Sequence, residues 1–261
     1  MPQPEKKKQD YNFDIDWHVH SIHSCDSRIR VDDACSAAKA IGLKGICFAE
    51  HIDFDTRDTG YNWFHWDKYS KDINRVKKKF PGAVFTGFEL NWQNNLASTL
   101  LDFLDGKNVD LVLGSVHWLK SGHICERRTF DGLTLDAFLD EWIHEALDLL
   151  HRNICQGFAH FDYFFLIGRE FYPDLKREDI FEFTRPVVDA IIDKGVSLEI
   201  NSRVMRKGLG EPCPSWSFIE NYIKAGGIKF HLGSDSHAID EIGYEQATIR
   251  RKLEALLEQN T

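Results

Sequence analysis

Histidines and carboxylates recur in this chain directly after short apolar runs, a placement that could assemble a site for several metal ions. The segments are His18-Val19-His20, Ala49-Glu50-His51, Gly87-Phe88-Glu89, Ser115-Val116-His117, Ala159-His160-Phe161-Asp162, Glu199-Ile200-Asn201 and Gly233-Ser234-Asp235-Ser236-His237. Imidazole nitrogens and carboxylate oxygens suit zinc, manganese or iron, and their types alone leave the metal open. The cysteines at positions 25, 35, 47, 125, 155 and 213 form no CxxC pair, so they read as reduced thiols rather than a zinc ribbon. Paired metal ions lower the pKa of a bridging water, present the hydroxide for in-line attack on phosphorus and offset phosphoryl charge.

Such residues meet only if the elements before them run in parallel. Apolar-rich runs at 13–17, 45–48, 83–86, 109–113, 154–158, 196–198 and 228–232 read as strands. Between them, helical spacing covers 31–41, 66–79, 96–106, 133–152, 177–194, 215–225 and 240–259. Gly42, Pro81-Gly82 and Gly226-Gly227 supply stops for three of these helices. The alternation predicts an α/β barrel, whose active site collects at the carboxyl ends of the strands, where these residues fall. His18 and His20, two apart on an extended segment, are expected to point the same way. The segment 118–131 follows the fourth strand and should lie over the barrel mouth as a loop or short hairpin, either solvated or a lid.

With 261 residues, 43% of them hydrophobic, one large core can be buried and a single domain over 1–261 is expected. Lysine and arginine total 32 against 41 acidic residues, a net charge of −9, which gives no support to nucleic-acid or membrane-surface binding. Residues 1–10 are polar and lysine-rich and read as a loose tail, neither signal peptide nor span, so a soluble cytoplasmic protein is expected.

The run of motifs from Asp16-Trp17-His18-Val19-His20-Ser21 through Ala49-Glu50-His51-Ile52-Asp53 to Leu232-Gly233-Ser234-Asp235-Ser236-His237 resembles the PHP (polymerase and histidinol phosphatase) superfamily. Within it, the chain is most similar to the histidinol-phosphate phosphatases. The resemblance implies a distorted (β/α)7 barrel with two to three divalent ions. One ion would be held by His18, His20, Glu89 and Asp235, and a second by Glu89, His117 and His160, with Glu89 bridging. A third would take His51, His237 and a residue from the loop after the first pair, where Asp26 is placed ahead of His23.

Catalytic roles are thereby implied for Glu89, Asp235 and His237, with the leaving alkoxide protonated by Asp235 or by a metal-bound water. Comparison with similar proteins also implies a phosphate clamp at Arg169 and Arg206, with Arg203 and Lys207 as weaker substitutes. Phe54, Tyr61, Trp63, Phe64 and Trp66 could wall a flat substrate or simply pack in the core. The implied activity is hydrolysis of L-histidinol phosphate, a small phosphorylated partner, in histidine biosynthesis. A nucleotide or oligonucleotide phosphoesterase and a non-catalytic metal-stabilised binding module are the alternatives, and fold alone does not separate them. The oligomeric state is left open.

Overall fold

The computed structural model describes residues 11–260, so the expected tail at 1–10 lies outside the described residues. Seven strands, β1 (Ile15–Val19), β2 (Gly45–Ile52), β3 (Val84–Asn91), β4 (Leu111–Ser115), β5 (Gly157–Phe158), β6 (Ser197–Asn201) and β7 (Phe230–Gly233), form one sheet in sequence order. Every neighbouring pair is parallel. Beyond β7 the chain returns to β1: Asp235 N–H donates to His18 O at 2.7 Å and His20 N–H donates to Ser236 O at 3.0 Å. The sheet is thus a nearly closed (β/α)7 barrel, as expected.

The helices are α1 (Val31–Ala40), α2 (Trp66–Lys79), α3 (Ala97–Leu104), α4 (Arg127–Phe130), α5 (Leu135–Arg152), α6 (Phe165–Gly168), α7 (Ile180–Phe183), α8 (Arg185–Lys194), α9 (Trp216–Lys224) and α10 (Gln246–Glu258). The helix expected over 177–194 is broken at Thr184, because Pro186, in the first turn of α8, has no N–H to donate back to the preceding turn. The one expected over 240–259 starts only at Gln246, since Gly243 and Glu245 adopt left-handed φ of 65° and 53°. Segment 118–131 closes as a small hairpin with an antiparallel bridge from Trp118 to His123, followed by α4.

The strands are buried on both faces. Outward residues such as Phe48, Phe88, Leu198 and Leu232 pack with the helices, while Ile15, Trp17, Cys47, Ala49, Leu111, Leu113 and Ala159 fill the interior. A strand's period of two then dictates the rim. Continuing the interior column of Cys47 and Ala49 brings in His51, and continuing Leu111 and Leu113 brings in Ser115 and His117. Gly233 is required where β7 crosses the interior, because a Cβ there would lie 2.2 Å from Glu199 Oε1 and 2.6 Å from His18 Cβ.

Candidate metal centre

Simple alternation would not deliver every histidine. On β1 the interior residues are Ile15 and Trp17, so His18 should face the helices. An irregularity in the register between Asp16 and Val19 reverses the parity, sending Val19 outward into the helix-facing core and both His18 and His20 inward. His160 follows the interior Ala159 and is turned in by a φ of 26°; Asp235 takes its place through a φ of 51°.

The centre is organised around Glu89, which is 1% exposed. Its Oε1 lies 2.6 Å from His160 Nε2 and 3.1 Å from His117 Nε2. Its Oε2 lies 2.9 Å from His51 Nδ1 and 3.5 Å from both His18 Nε2 and His20 Nε2. Each oxygen therefore serves a different histidine set. Asp235 Oδ1 is 3.4 Å from His20 Nε2, and Asp26 Oδ2 is 2.8 Å from His237 Nε2 and 3.6 Å from His51 Nε2. His23 turns away, its Nε2 3.2 Å from Asp72 Oδ2 and its ring edge-on to Tyr69, so the loop brings Asp26 rather than His23 to the cluster.

Surrounding groups set which nitrogens carry lone pairs. Ser24 Oγ donates its one proton to Glu50 Oε2 at 2.6 Å, so the 3.0 Å contact with His20 Nδ1 has the imidazole as donor and leaves Nε2 a lone pair. Glu199 Oε1 takes His18 Nδ1–H at 2.7 Å, so that Nε2 is the nitrogen left for the cluster. Glu199 Oε2 also accepts the His160 N–H at 2.7 Å and the Asn201 amide at 3.1 Å. The Nε2 atoms of His18 and His20 thus face each other 3.0 Å apart, and in the absence of metal a proton on His18 Nε2 bridges to the His20 lone pair.

The charges are those of a site that demands cations. Burial alone would discharge His18, but Glu199, Asp235 and Glu89 outweigh it and hold its pKa well above the ordinary value. Against the same burial, Glu89 and Asp26 raise His51, and Glu89 and Glu199 raise His160. His20 is pushed well below by burial and by His51 and His237. Glu89 stays ionised despite burial because His51, His117 and His18 surround it, and Asp235 does so because of Arg203 and His18. Ligand atoms of His18, His20 and Glu89, of Glu89, His117 and His160, and of His20, His51 and His237 lie within 4.8 Å of one another. Buried Glu89 Oε2 and His237 Nε2 accept no hydrogen bond, as atoms reserved for a cation would not. These residues fit divalent ions.

Above the cluster opens a cavity of about 220 Å³, walled also by Asp53, Asp58, His123, Tyr163 and Arg203. His123, assigned no role from sequence, accepts the Cys125 N–H on Nδ1 at 3.1 Å, and burial followed by His117 pushes its pKa down to about 4. It is therefore neutral with its proton on Nε2. Asp53 forms a further close set with His51 and His117, a position that its spacing of two from His51 along the chain could have announced.

Of the arginines, Arg206 lies behind the β7 turn, donating to Ser234 O at 2.9 Å and Asp235 O at 3.2 Å. Arg169, exposed at the end of α6, is not among the cavity-lining residues; Arg203 is. The aromatic wall is not formed. Phe54 and Phe64 pack around Phe103 and Trp66 packs edge-on to Phe88 and tilted against Tyr69, because joining the apolar core buries more ring area than lining a polar cavity, while Tyr61 and Trp63 are exposed.

The profile of the PHP domain family matches residues 16–203. Among curated proteins, the chain is 29% identical to the histidinol-phosphatase of Lactococcus lactis over 236 residues, 85% of this chain and 84% of that one. It is 27% identical over 231 residues to a Clostridium acetobutylicum protein named probable histidinol-phosphatase, covering 88% of each. Among solved structures it superposes on the Lactococcus lactis histidinol phosphate phosphatase, complexed with zinc, L-histidinol and phosphate. The TM-score is 0.77 at 25% identity, covering 94% of this chain and 93% of the other.

Proposed function

The chain belongs to the PHP domain family, and from that premise we propose that it is a metal-dependent phosphatase hydrolysing L-histidinol phosphate to L-histidinol and phosphate. The observation that carries this reading is Glu89, whose two oxygens face two separate histidine sets and so suit a carboxylate bridging two ions. We assign His18, His20, Glu89 and Asp235 to one ion, Glu89, His117 and His160 to a second, and His51, His237 and Asp26 to a third. Zinc, manganese or iron would suit this donor set. Divalent ions so held supply a water of lowered pKa as nucleophile and offset charge on the phosphoryl oxygens.

The chain's own groups do the rest. Glu199, Ser24 and Glu50 fix the tautomers of His18 and His20, so that no reorientation is needed when substrate arrives. Asp235, held ionised, suits a metal ligand better than a proton donor. The neutral His123 offers its Nε2–H to a phosphoryl oxygen from the cavity wall. Arg206 braces the backbone of the β7 turn.

We read the chain as one barrel domain in the cytoplasm. None of its cysteines is in a disulfide, and no helix among the described residues is long and apolar enough to cross a membrane. The test is phosphate release by purified, metal-reconstituted protein from histidinol phosphate, other amino-alcohol phosphates and nucleotides. A dominant preference for histidinol phosphate is expected; a preference for nucleotides would move the chain to another branch of the same family.

A further inference from the structure

The turn after β7 carries Asp235 and His237 on a backbone that Asp235 bends into the left-handed region, at φ 51°. A non-glycine residue there costs on the order of 1 kcal/mol and persists only when its surroundings hold it. The holding groups come from one place, the carboxyl end of β6 and the loop that follows it. Asn201 Nδ2 donates to Asp235 Oδ2 at 3.3 Å. Arg206 Nη2 donates to the Asp235 carbonyl at 3.2 Å. Arg203 grips twice, its Nη1 lying 2.9 Å from the Asp235 carbonyl and 3.0 Å from Oδ1, the carboxylate oxygen that faces His20. The same guanidinium contacts His237 Nδ1. That nitrogen also stands 3.1 Å from the Asp235 carbonyl, and the other, Nε2, lies 2.8 Å from Asp26 Oδ2.

We propose that Arg203 is a positioning residue for the cations, clamping the β7 turn so that Asp235 and His237 present their ligand atoms together. The proposal rests on the reading of this cluster as a divalent-metal centre. Two effects of Arg203 on a cation oppose each other. Its own charge repels the ion, whereas its two-point hold on backbone and carboxylate removes the freedom of two ligands at once. The Asp235 carboxylate, 3.0 Å from Arg203 Nη1 and 3.4 Å from His20 Nε2, would screen the repulsion of an ion held there, so the hold wins. Losing such an orienting partner typically weakens metal binding about 10–100-fold. A lysine keeps the charge, but its ammonium sits on a flexible stem without the rigid guanidinium plane that holds Nη1 against both oxygens.

The test is titration of the chelated full chain with zinc or manganese, without substrate, for wild type, Arg203→Met and Arg203→Lys. Circular dichroism of the chelated proteins serves as the folding control. Arg203→Met should weaken the ions seated by Asp235 and His237 about 10–100-fold while the ion between Glu89, His117 and His160 binds as in wild type. Arg203→Lys should not restore them. In Asp26→Ala, whose His237 ion is already impaired, Arg203→Met should weaken that ion by less than it does in wild type. Wild-type affinities in Arg203→Met, equal weakening of all ions, or full rescue by lysine would each overturn the proposal. If the wild-type protein ignored histidinol phosphate, the substrate assignment would fall while the titration still decided the role of Arg203.

Discussion

Replacing Glu89 by glutamine removes one formal charge and turns one of two acceptor oxygens into an N–H donor, at almost unchanged shape. Because Oε1 faces His117 and His160 while Oε2 faces His18, His20 and His51, whichever side receives the amide nitrogen loses a ligand outright. The other side keeps a neutral carbonyl in place of a carboxylate. If ion affinity at the affected sites falls about 100- to 1,000-fold, the stability that bound metal contributes by mass action falls by roughly 2.7–4.1 kcal/mol. For a chain of this size each kcal/mol moves the thermal midpoint by about 2–4 °C, so the metal-loaded variant should melt about 5–16 °C below metal-loaded wild type. The assay is a thermal melt of both proteins, chelated and reloaded, with metal analysis of the reloaded samples. The chelated pair controls for any effect of the substitution on the empty barrel. Metal content should drop by more than one ion per chain, and turnover should be lost. A glutamine variant with wild-type metal content and a wild-type response to chelation would refute the bridging geometry.

Glu199→Ala should weaken metal binding about 10–100-fold, read by titration, because His18 loses the partner that fixes its tautomer. Arg206→Ala should lower kcat/KM by the equivalent of about 1.5–3 kcal/mol, the range for losing hydrogen bonds made by a charged group, with Arg206→Lys recovering part of it; unchanged kinetics in both would remove the brace from the mechanism. In pH, raised histidines stabilise the chelated protein below their ordinary value, near 6.5, and that contribution is lost as pH rises through their folded values. Metal binding expels those protons, so the gap between loaded and chelated melting points should widen as pH rises past neutrality, and a narrowing gap would contradict the assignment. Trp63→Ala, at an exposed position outside the cavity, should leave the preference for histidinol phosphate over a non-aromatic amino-alcohol phosphate unchanged in kcat/KM.

Much of this centre could be read from residue order because a parallel barrel converts sequence into position by simple rules. Short apolar runs mark the strands, their carboxyl ends mark one rim, and the period of two carries interior Cys47 and Ala49 straight to His51. The rules fail where the backbone departs from them. The irregularity before Val19 and the positive φ at His160 and Asp235 leave no trace in composition, yet without them those side chains would face elsewhere. Glu199 and Asn201 sit at a strand end like the others, but a carboxylate that orients a ligand cannot be told from one that binds metal without distances. The arginines were least legible, since side chains this long can reach either way from a loop: Arg203 reaches the cavity and Arg169 does not. The aromatic loop left two readings open, and the packing of Phe64 against Phe88 and Phe103 is core packing.

The closure of the barrel has a consequence of its own. Between β1 and β7 the ladder thins to a bridge from Val19 to Ser236 and the two hydrogen bonds beside it, so this line is the seam of an otherwise continuous cylinder. His18 and His20 stand on one side of it and Asp235 and His237 on the other. Any cation shared among them would be a staple across the seam. Stripped of that staple, the cylinder's weakest line separates two apolar edge strands whose free N–H and C=O groups are templates for another chain. Metal depletion should therefore show first as faster amide exchange at His20 and Asp235, and as a tendency to self-associate through β1 and β7, before the helices loosen.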